Sequence, residues 1–364
     1  MTNPRPREAG LRCLLYEARN SLKTQNEDEV KLKAALLAIN PNMPLAQILS
    51  STKDAEMKET KFGRSPNGSF ASYQLQFTES NFKVFCHLGP SQLCQNKRDP
   101  PSSEYPKFPL RPTESYKLPG QLGKQEAKLL SHLIVDSEKL NKIEHNTCNQ
   151  SLSDEWKRER RYRFTASNFK KVCIRQRNHE ALVKSFLNPV QVNSKYIEHG
   201  KKLEPIALRQ YQKYMYSIGR PVLLYKSGLV VGMDTPFLGA SPDGKVIDLK
   251  CIDQFGLVEI KCPQTKFHVT PLEACSDAGF CCEAVDGKLK LKRNHEYFYQ
   301  VQGQLGVTKA SWCDFVIYTN EGMSIERISF DRGFWENVRG KLSNYYFSRF
   351  IKTAAQEFCK PRND

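Results

Sequence analysis

No stretch of this 364-residue chain stays apolar for the roughly 20 residues that a bilayer-spanning helix needs, which excludes a helical membrane span. The opening Met1-Thr2-Asn3-Pro4 lacks the apolar core of a secretory signal, and Glu8 and Glu17 interrupt the series Arg5, Arg7, Arg12 and Arg19 that faintly suggests a transit peptide. The expected setting is therefore intracellular, not secreted, with the nucleus favoured for a eukaryotic source. Twelve cysteines are present, yet no CxxC pair occurs. Without a secretory signal a disulfide framework is not expected. In the stretch 262–282, Cys262, Cys275, Cys281 and Cys282 lie near His268, at spacings that match no common zinc module.

Acids are also scarce. Asp and Glu number 39 against 55 Lys and Arg, a formal net charge of +16 and a pI near 9.2. Such a field favours polyanionic partners, and nucleic acid is the first expectation. Hydrophobic content of 39% and charged content of 26% fit a globular protein with more than one structural unit.

Helical apolar spacing marks residues 8–39 as two short helices, ended by Pro41 and Pro44. Ser65-Pro66-Asn67-Gly68 then opens a strand pair, Phe70 to Phe77 and Phe82 to His87. Residues 1–94 read as an N-terminal α+β module. Six prolines between Pro100 and Pro119 predict an extended linker over 95–122, followed by a second domain over 123–355. That domain starts with a helix from Lys124 to Ile143. Ser153 or Asp154 caps the next helix, and Thr165 or Ser167 another. A helix N-terminus beside Arg158, Arg160 and Arg161 can hold phosphate, although an ordinary solvated basic face has the same appearance.

The chemistry concentrates between Gly239 and Pro263. Val258-Glu259-Ile260-Lys261 reads as a strand, whose period of two puts Glu259 and Lys261 on one face and Val258 and Ile260 on the other. Asp243, in the turn Ser241-Pro242-Asp243-Gly244 after a strand Phe237 to Ala240, can be brought beside Glu259 by antiparallel pairing. Two close carboxylates repel unless a cation lies between them. Mg2+, with Mn2+ as a substitute, would be liganded by Asp243, Glu259 and the Ile260 carbonyl, and Lys261 would activate or position the attacking water. An isolated ExK pair is more often a surface salt bridge. Glu204, preceding Pro205, shares a helical face with Ala207 and Tyr211, and an acid there needs metal, Arg or solvent as its partner.

Six separated motifs narrow the reading: Trp156-x-x-x-Arg160, Thr165-Ala166-Ser167, Gly200-x-x-x-Glu204, Ser241-Pro242-Asp243-Gly244, Glu259-Ile260-Lys261-Cys262-Pro263 and Gln300-Val301-Gln302. Their order resembles that of the lambda-exonuclease and YqaJ-type viral recombinase family of PD-(D/E)xK nucleases, over about residues 150–350. The resemblance implies an α/β restriction-endonuclease-like core, a mixed central sheet flanked by helices. It also implies catalytic roles for Asp243, Glu259, Lys261 and Glu204. Arg160, Ser167, Ser241 and Gln300 match the family's pocket for a terminal 5′-phosphate. The implied activity is a 5′-to-3′ double-strand exonuclease acting on duplex DNA ends in recombination or mobile-element DNA processing. An endonuclease on the same core and a DNA-binding adaptor without catalysis are the alternatives. Phage members assemble as rings, so a homo-oligomer is compatible, and the N-terminal region is open to a protein partner. The Cys- and Lys-rich stretch Thr270 to Arg293 departs from the compact phage pattern.

Overall fold

The structure, a computed structural model, describes residues 26–39, 57–60, 63–66, 82–89, 104–189 and 194–360. The chain divides into a unit spanning Met1–Ser80 and one spanning Asn81–Asp364. In the first, helix α1 (Asn26–Ile39) and an antiparallel pair β1 (Met57–Thr60) and β2 (Gly63–Pro66) are described. Leu32 and Leu37 on α1 are exposed. The expected helix nearer the start and the strand Phe70 to Phe77 lie outside the described residues.

The second unit contains strands β3 (Lys83–His87), β4 (Phe164–Thr165), β5 (Val222–Tyr225), β6 (Val230–Val231), β7 (Leu238–Ala240), β8 (Gly244–Asp248), β9 (Phe255–Lys261), β10 (Cys282–Val285), β11 (Lys288–Leu291), β12 (Trp312–Tyr318) and β13 (Gly322–Ser329). Its helices are α2 (Lys124–Leu133), α3 (Ser137–Asn146), α4 (Asp154–Arg160), α5 (Phe169–Cys173), α6 (His179–Leu187), α7 (Lys195–Ser217), α8 (Pro271–Ala274), α9 (Glu296–Thr308), α10 (Arg332–Tyr345) and α11 (Ile351–Phe358). A π-helical turn, Tyr346–Phe350, joins the last two. No helix among the described residues is long and apolar enough to cross a membrane.

Six strands form one mixed sheet in the order β3-β13-β12-β9-β8-β5, with β9 parallel to β12 and antiparallel to β8. Alternation sorts its side chains between two cores. Leu257, Cys313, Phe315 and Ile317 join the core that contains Val301 and Leu305 of α9. Val246, Val258, Ile260 and Val316 face the other way, packing with Ala207, Tyr211 and Met215 of α7. Gly256 is required within β9, because a Cβ there would lie 2.3 Å from the Trp312 ring. This is the expected mixed sheet flanked by helices.

Several expectations are corrected. The helix expected over 124–143 is two helices, because Ile134 leaves helical geometry and Asp136 starts α3, its Oδ1 accepting from Lys139 N at 2.7 Å. For Pro205 both a first helical turn and a helix interior are open from the sequence, and it lies in the interior of α7. Neither Thr165 nor Ser167 caps a helix through its side chain; residues 166–168 form a 3-10 turn leading to α5. The strand Leu238–Ala240 belongs to a separate sheet, β4-β7-β6, and Asp243 leads into β8.

The boundary expected at residues 94 and 95 also moves. β3 pairs with β13 inside the six-stranded sheet. Part of the expected linker is tied to the core: Phe108 is 2% exposed, the Tyr105 hydroxyl donates to Gly256 O at 3.0 Å, and Leu110 N donates to Thr308 O at 3.0 Å. Prolines keep the segment out of helix and strand, but its aromatic side chains anchor it.

A buried ionic network fixes the far side of the sheet. Arg327 donates to both oxygens of Asp314, at 2.7 and 2.8 Å, and to Asp248 Oδ2 at 2.7 Å, with its guanidinium 3.6 Å from the Trp312 ring centroid. Tyr211 of α7 donates to Asp314 Oδ2 at 2.6 Å. Asp248 and Asp314 are both fully buried. Arg327→Ala would leave them short of positive charge, and a stability loss of about 3–5 kcal/mol is expected in urea unfolding. A loss below about 1 kcal/mol, the range of an exposed ion pair, would contradict this account.

Candidate active site

The acidic site is built where β8 and β9 pair. Gly244 opposes Val258, so the turn before β8 delivers Asp243 to the backbone of β9, and Asp243 Oδ2 accepts from Ile260 N at 2.7 Å. Gln150 anchors that turn, its amide donating to Pro242 O at 2.9 Å and Ser227 O at 3.2 Å. Glu259 is 1% exposed and points toward α9. Its Oε1 accepts from Lys261 Nζ at 2.6 Å and from the Gln300 amide, while Oε2 accepts from Gln304 Nε2 at 2.7 Å. Gln300 and Gln304 are one helical turn apart, so a single face of α9 clamps both carboxylate oxygens. The Lys261 ammonium also lies 4.5 Å from the Tyr297 ring centroid.

The electrostatics mark this as one coupled site. Burial, then the charges of Glu259 and Glu204, push the Asp243 carboxyl well above the usual carboxylate range. Burial and Glu259 likewise raise Glu204, with Lys261 opposing the shift. Burial lowers the affinity of Lys261 for its proton, but the attraction of Glu259 and Asp243 outweighs it and holds the ammonium above its ordinary range. The structure thus brings together Asp243, Glu259, Ile260 and Lys261, with Glu204 close enough to feel their charge.

Among the described residues no three His, Cys, Asp or Glu side chains make a preformed metal cage. A hard divalent cation needs no such cage, because it can bind through one or two carboxylates and keep its other positions for water and phosphate oxygens. Mutually repelling Asp243, Glu204 and Glu259 supply the anionic field such a cation would neutralise. Asp243, Glu259 and the Ile260 carbonyl are the residues that fit it. The cysteines of the 262–282 stretch are free, and no zinc ligand set forms among the described residues.

Beside this site lies a desolvated arginine. Ser153 caps α4, accepting from Trp156 N at 3.3 Å. One turn on, Arg160 stacks over Trp156, 3.7 Å from the ring centroid, and donates to Thr165 Oγ1 at 3.1 Å. The Trp156 indole donates in turn to Ser241 Oγ at 3.0 Å. Burial pushes the Arg160 guanidinium down to about 10, and among the described residues no carboxylate pairs with it. Arg160 and Ser241 are therefore joined through Trp156, two residues before Asp243. Gln300 is turned to Glu259, and Ser167 is exposed on the turn 166–168, with no hydrogen bond to the other three among the described residues.

Sequence reasoning missed Gln304, Gln150 and the bridging part of Trp156. Only Gln304 left a signal: two glutamines one turn apart on a helix whose remaining face is buried.

Residues 155–311 match the family model of the YqaJ-like viral recombinase domain, a span that includes every site residue expected from the motifs, while Gln150 lies just before it. The resemblance drawn from the motifs is borne out over that span. Comparison with curated protein sequences gives no match. Similar solved structures include an alkaline exonuclease from Laribacter hongkongensis, 26% identical, covering 57% of this chain and 96% of its own, with a TM-score of 0.43. The Shutoff and Exonuclease Protein from Kaposi's sarcoma-associated herpesvirus is 12% identical, with 59% and 72% covered and a TM-score of 0.39. A phage-related exonuclease from Haemophilus somnus is 14% identical, with 54% and 96% covered and a TM-score of 0.33.

Proposed function

We propose that the chain is a divalent-metal-dependent deoxyribonuclease that removes nucleotides from the 5′-ended strand of duplex DNA. The observation that carries this reading is the grouping of Asp243, Glu259 and Lys261 on the β8–β9 pair, with Glu204 in the same field and Gln300 and Gln304 fixing Glu259. A cation held by Asp243, Glu259 and the Ile260 carbonyl would polarise the phosphodiester and lower the pKa of a water molecule. Lys261, as an ammonium, positions that water and offsets negative charge developing on phosphorus oxygens. Water adds to phosphorus and the bond to the 3′ oxygen breaks. The remaining strand then begins with a new 5′-phosphate.

Direction follows from Arg160. A half-buried cation without an acidic partner among the described residues, stacked on Trp156 beside Ser241, has donors to spare for a terminal phosphate. Each new 5′-phosphate could be held there in turn while the next bond reaches the acids. The recombinase character of the matched domain favours recombination or mobile-element DNA processing as the setting, with Mg2+ as the cation and Mn2+ as a substitute.

Hydrogen bonds to charged groups contribute about 1.5–3 kcal/mol, so Arg160→Ala should slow digestion of 5′-phosphorylated duplex roughly tenfold or more. Cutting of 5′-hydroxyl ends should change little. The measurement compares both rates at fixed salt, with covalently closed circles as a third substrate. Equal losses on both ends would remove the phosphate role, and efficient cutting of closed circles would establish an endonuclease instead.

A further inference from the structure

We propose that a basic groove beside the acidic site, walled by α5 and the 278–295 segment, seats the DNA backbone flanking the scissile bond; this rests on the nuclease reading above. The groove encloses about 590 Å3 and is lined by Lys170, Phe280, Glu283, Lys292, Arg293 and His295 among others. Three permanent cations thus face one carboxylate. They come from separate segments, so they address more than one phosphate.

Their donors are available. Among the described residues no carboxylate pairs with Lys170. Lys292 Nζ donates to Ala278 O at 2.7 Å, which leaves two of its three protons free and fixes where they point. Arg293 is oriented by an ion pair with Asp331 at 2.6 Å and by stacking 4.9 Å from the Phe298 ring centroid, yet its side chain is 67% exposed. His295 caps α9, its Nδ1 accepting from Tyr297 N at 3.2 Å, so the neutral ring carries its proton on Nε2. Apart from Glu283, the charged and titratable groups lining this wall are donors.

Continuity with the acidic site identifies the ligand. The His295 ring meets Tyr297 at 4.6 Å, and the Lys261 ammonium meets the other end of that contact at 4.5 Å from the Tyr297 centroid. Burial, opposed by the neighbouring Glu296, lowers the His295 imidazole, and Lys170, Lys292 and Lys261 all lower it further, so the groove lysines and the active-site lysine are felt at one ring. A polyanion whose reacting phosphate lies at Glu259 would continue past Tyr297 into the groove. A small anion would need only one of these cations. Most of one wall of the groove comes from the Cys- and Lys-rich stretch that departs from the compact phage pattern, so it would extend the footprint of this chain on its substrate.

The test is duplex binding by the full chain in EDTA, followed by fluorescence anisotropy across a salt series with a short 5′-phosphorylated probe. Lys170→Ala/Lys292→Ala should lower the slope of log affinity against log salt by about 2 and weaken binding roughly tenfold, with an unchanged melting temperature. Lys170→Arg/Lys292→Arg should bind as wild type does. The control Lys139→Ala/Lys142→Ala, on exposed positions of α3, should keep the wild-type slope. If the wild type binds and cuts duplex but the groove variant keeps its slope, the groove is overturned and the nuclease reading stands. An equal loss in the control would also overturn it, because the groove would then be one part of a general basic surface. If the wild type neither binds nor cuts, the nuclease reading fails, and the groove with it.

Discussion

Asp243→Asn is expected to slow duplex degradation on the order of a thousandfold, equivalent to about 4 kcal/mol of transition-state stabilisation, while leaving the fold intact. Asn retains an oxygen that can accept from Ile260 N, so the contact between the turn and β9 survives. What disappears is one negative charge from a buried site where burial, Glu259 and Glu204 all oppose ionisation of Asp243. The melting temperature should therefore stay level or rise. Glu259→Ala differs, because it strips Lys261, Gln300 and Gln304 of their common acceptor and combines lost chemistry with lost structure. Asp243→Asn is accordingly the cleaner variant. Wild-type turnover by Asp243→Asn at matched Mg2+ would remove Asp243 from the reaction.

Local pattern carried much of this site. Because a strand alternates, Glu259 and Lys261 could be placed on one face from sequence, and they form an ion pair there. The same reasoning gave Ala207 and Tyr211 as the buried face below Glu204, and both are fully buried. It failed where the decisive contact was distant. Gln304 reaches Glu259 across 45 residues, and Asp248 meets Arg327 across 79, so neither pair has a periodic signature. Strand β8 was hidden because Gly244-Lys245-Val246-Ile247-Asp248 follows a turn and shows little alternation. In the segment from Tyr105 to Leu110 the prolines go with a stretch that forms neither helix nor strand, but lack of regular structure was mistaken for detachment. Tyr105 and Phe108 were the overlooked signal, since large aromatic side chains in a polar linker would be exposed at a cost.

Lys261→Ala should lower activity roughly 10²- to 10³-fold, the range for loss of a positioned catalytic side chain, without loss of divalent-ion binding. The two effects separate because Lys261 stands in two relations to Glu259. Its ammonium, 2.6 Å from Oε1, competes with any cation that approaches the same carboxylate, so its removal should leave Mn2+ affinity unchanged or increase it. On the reaction side no substitute is apparent: the nearest neighbours of Glu259 are the neutral amides of Gln300 and Gln304, which cannot supply positive charge to phosphate oxygens. Stability is expected to fall, since the buried Glu259 would keep only those two donors. The decisive comparison is therefore calorimetric titration of Mn2+ into folded wild type, Lys261→Ala and Asp243→Asn, alongside their cleavage rates. Retained ion binding with lost cleavage would place Lys261 in the chemical step. If Lys261→Ala lost ion binding as completely as Asp243→Asn, the lysine would instead be the structural support that keeps Glu259 in position.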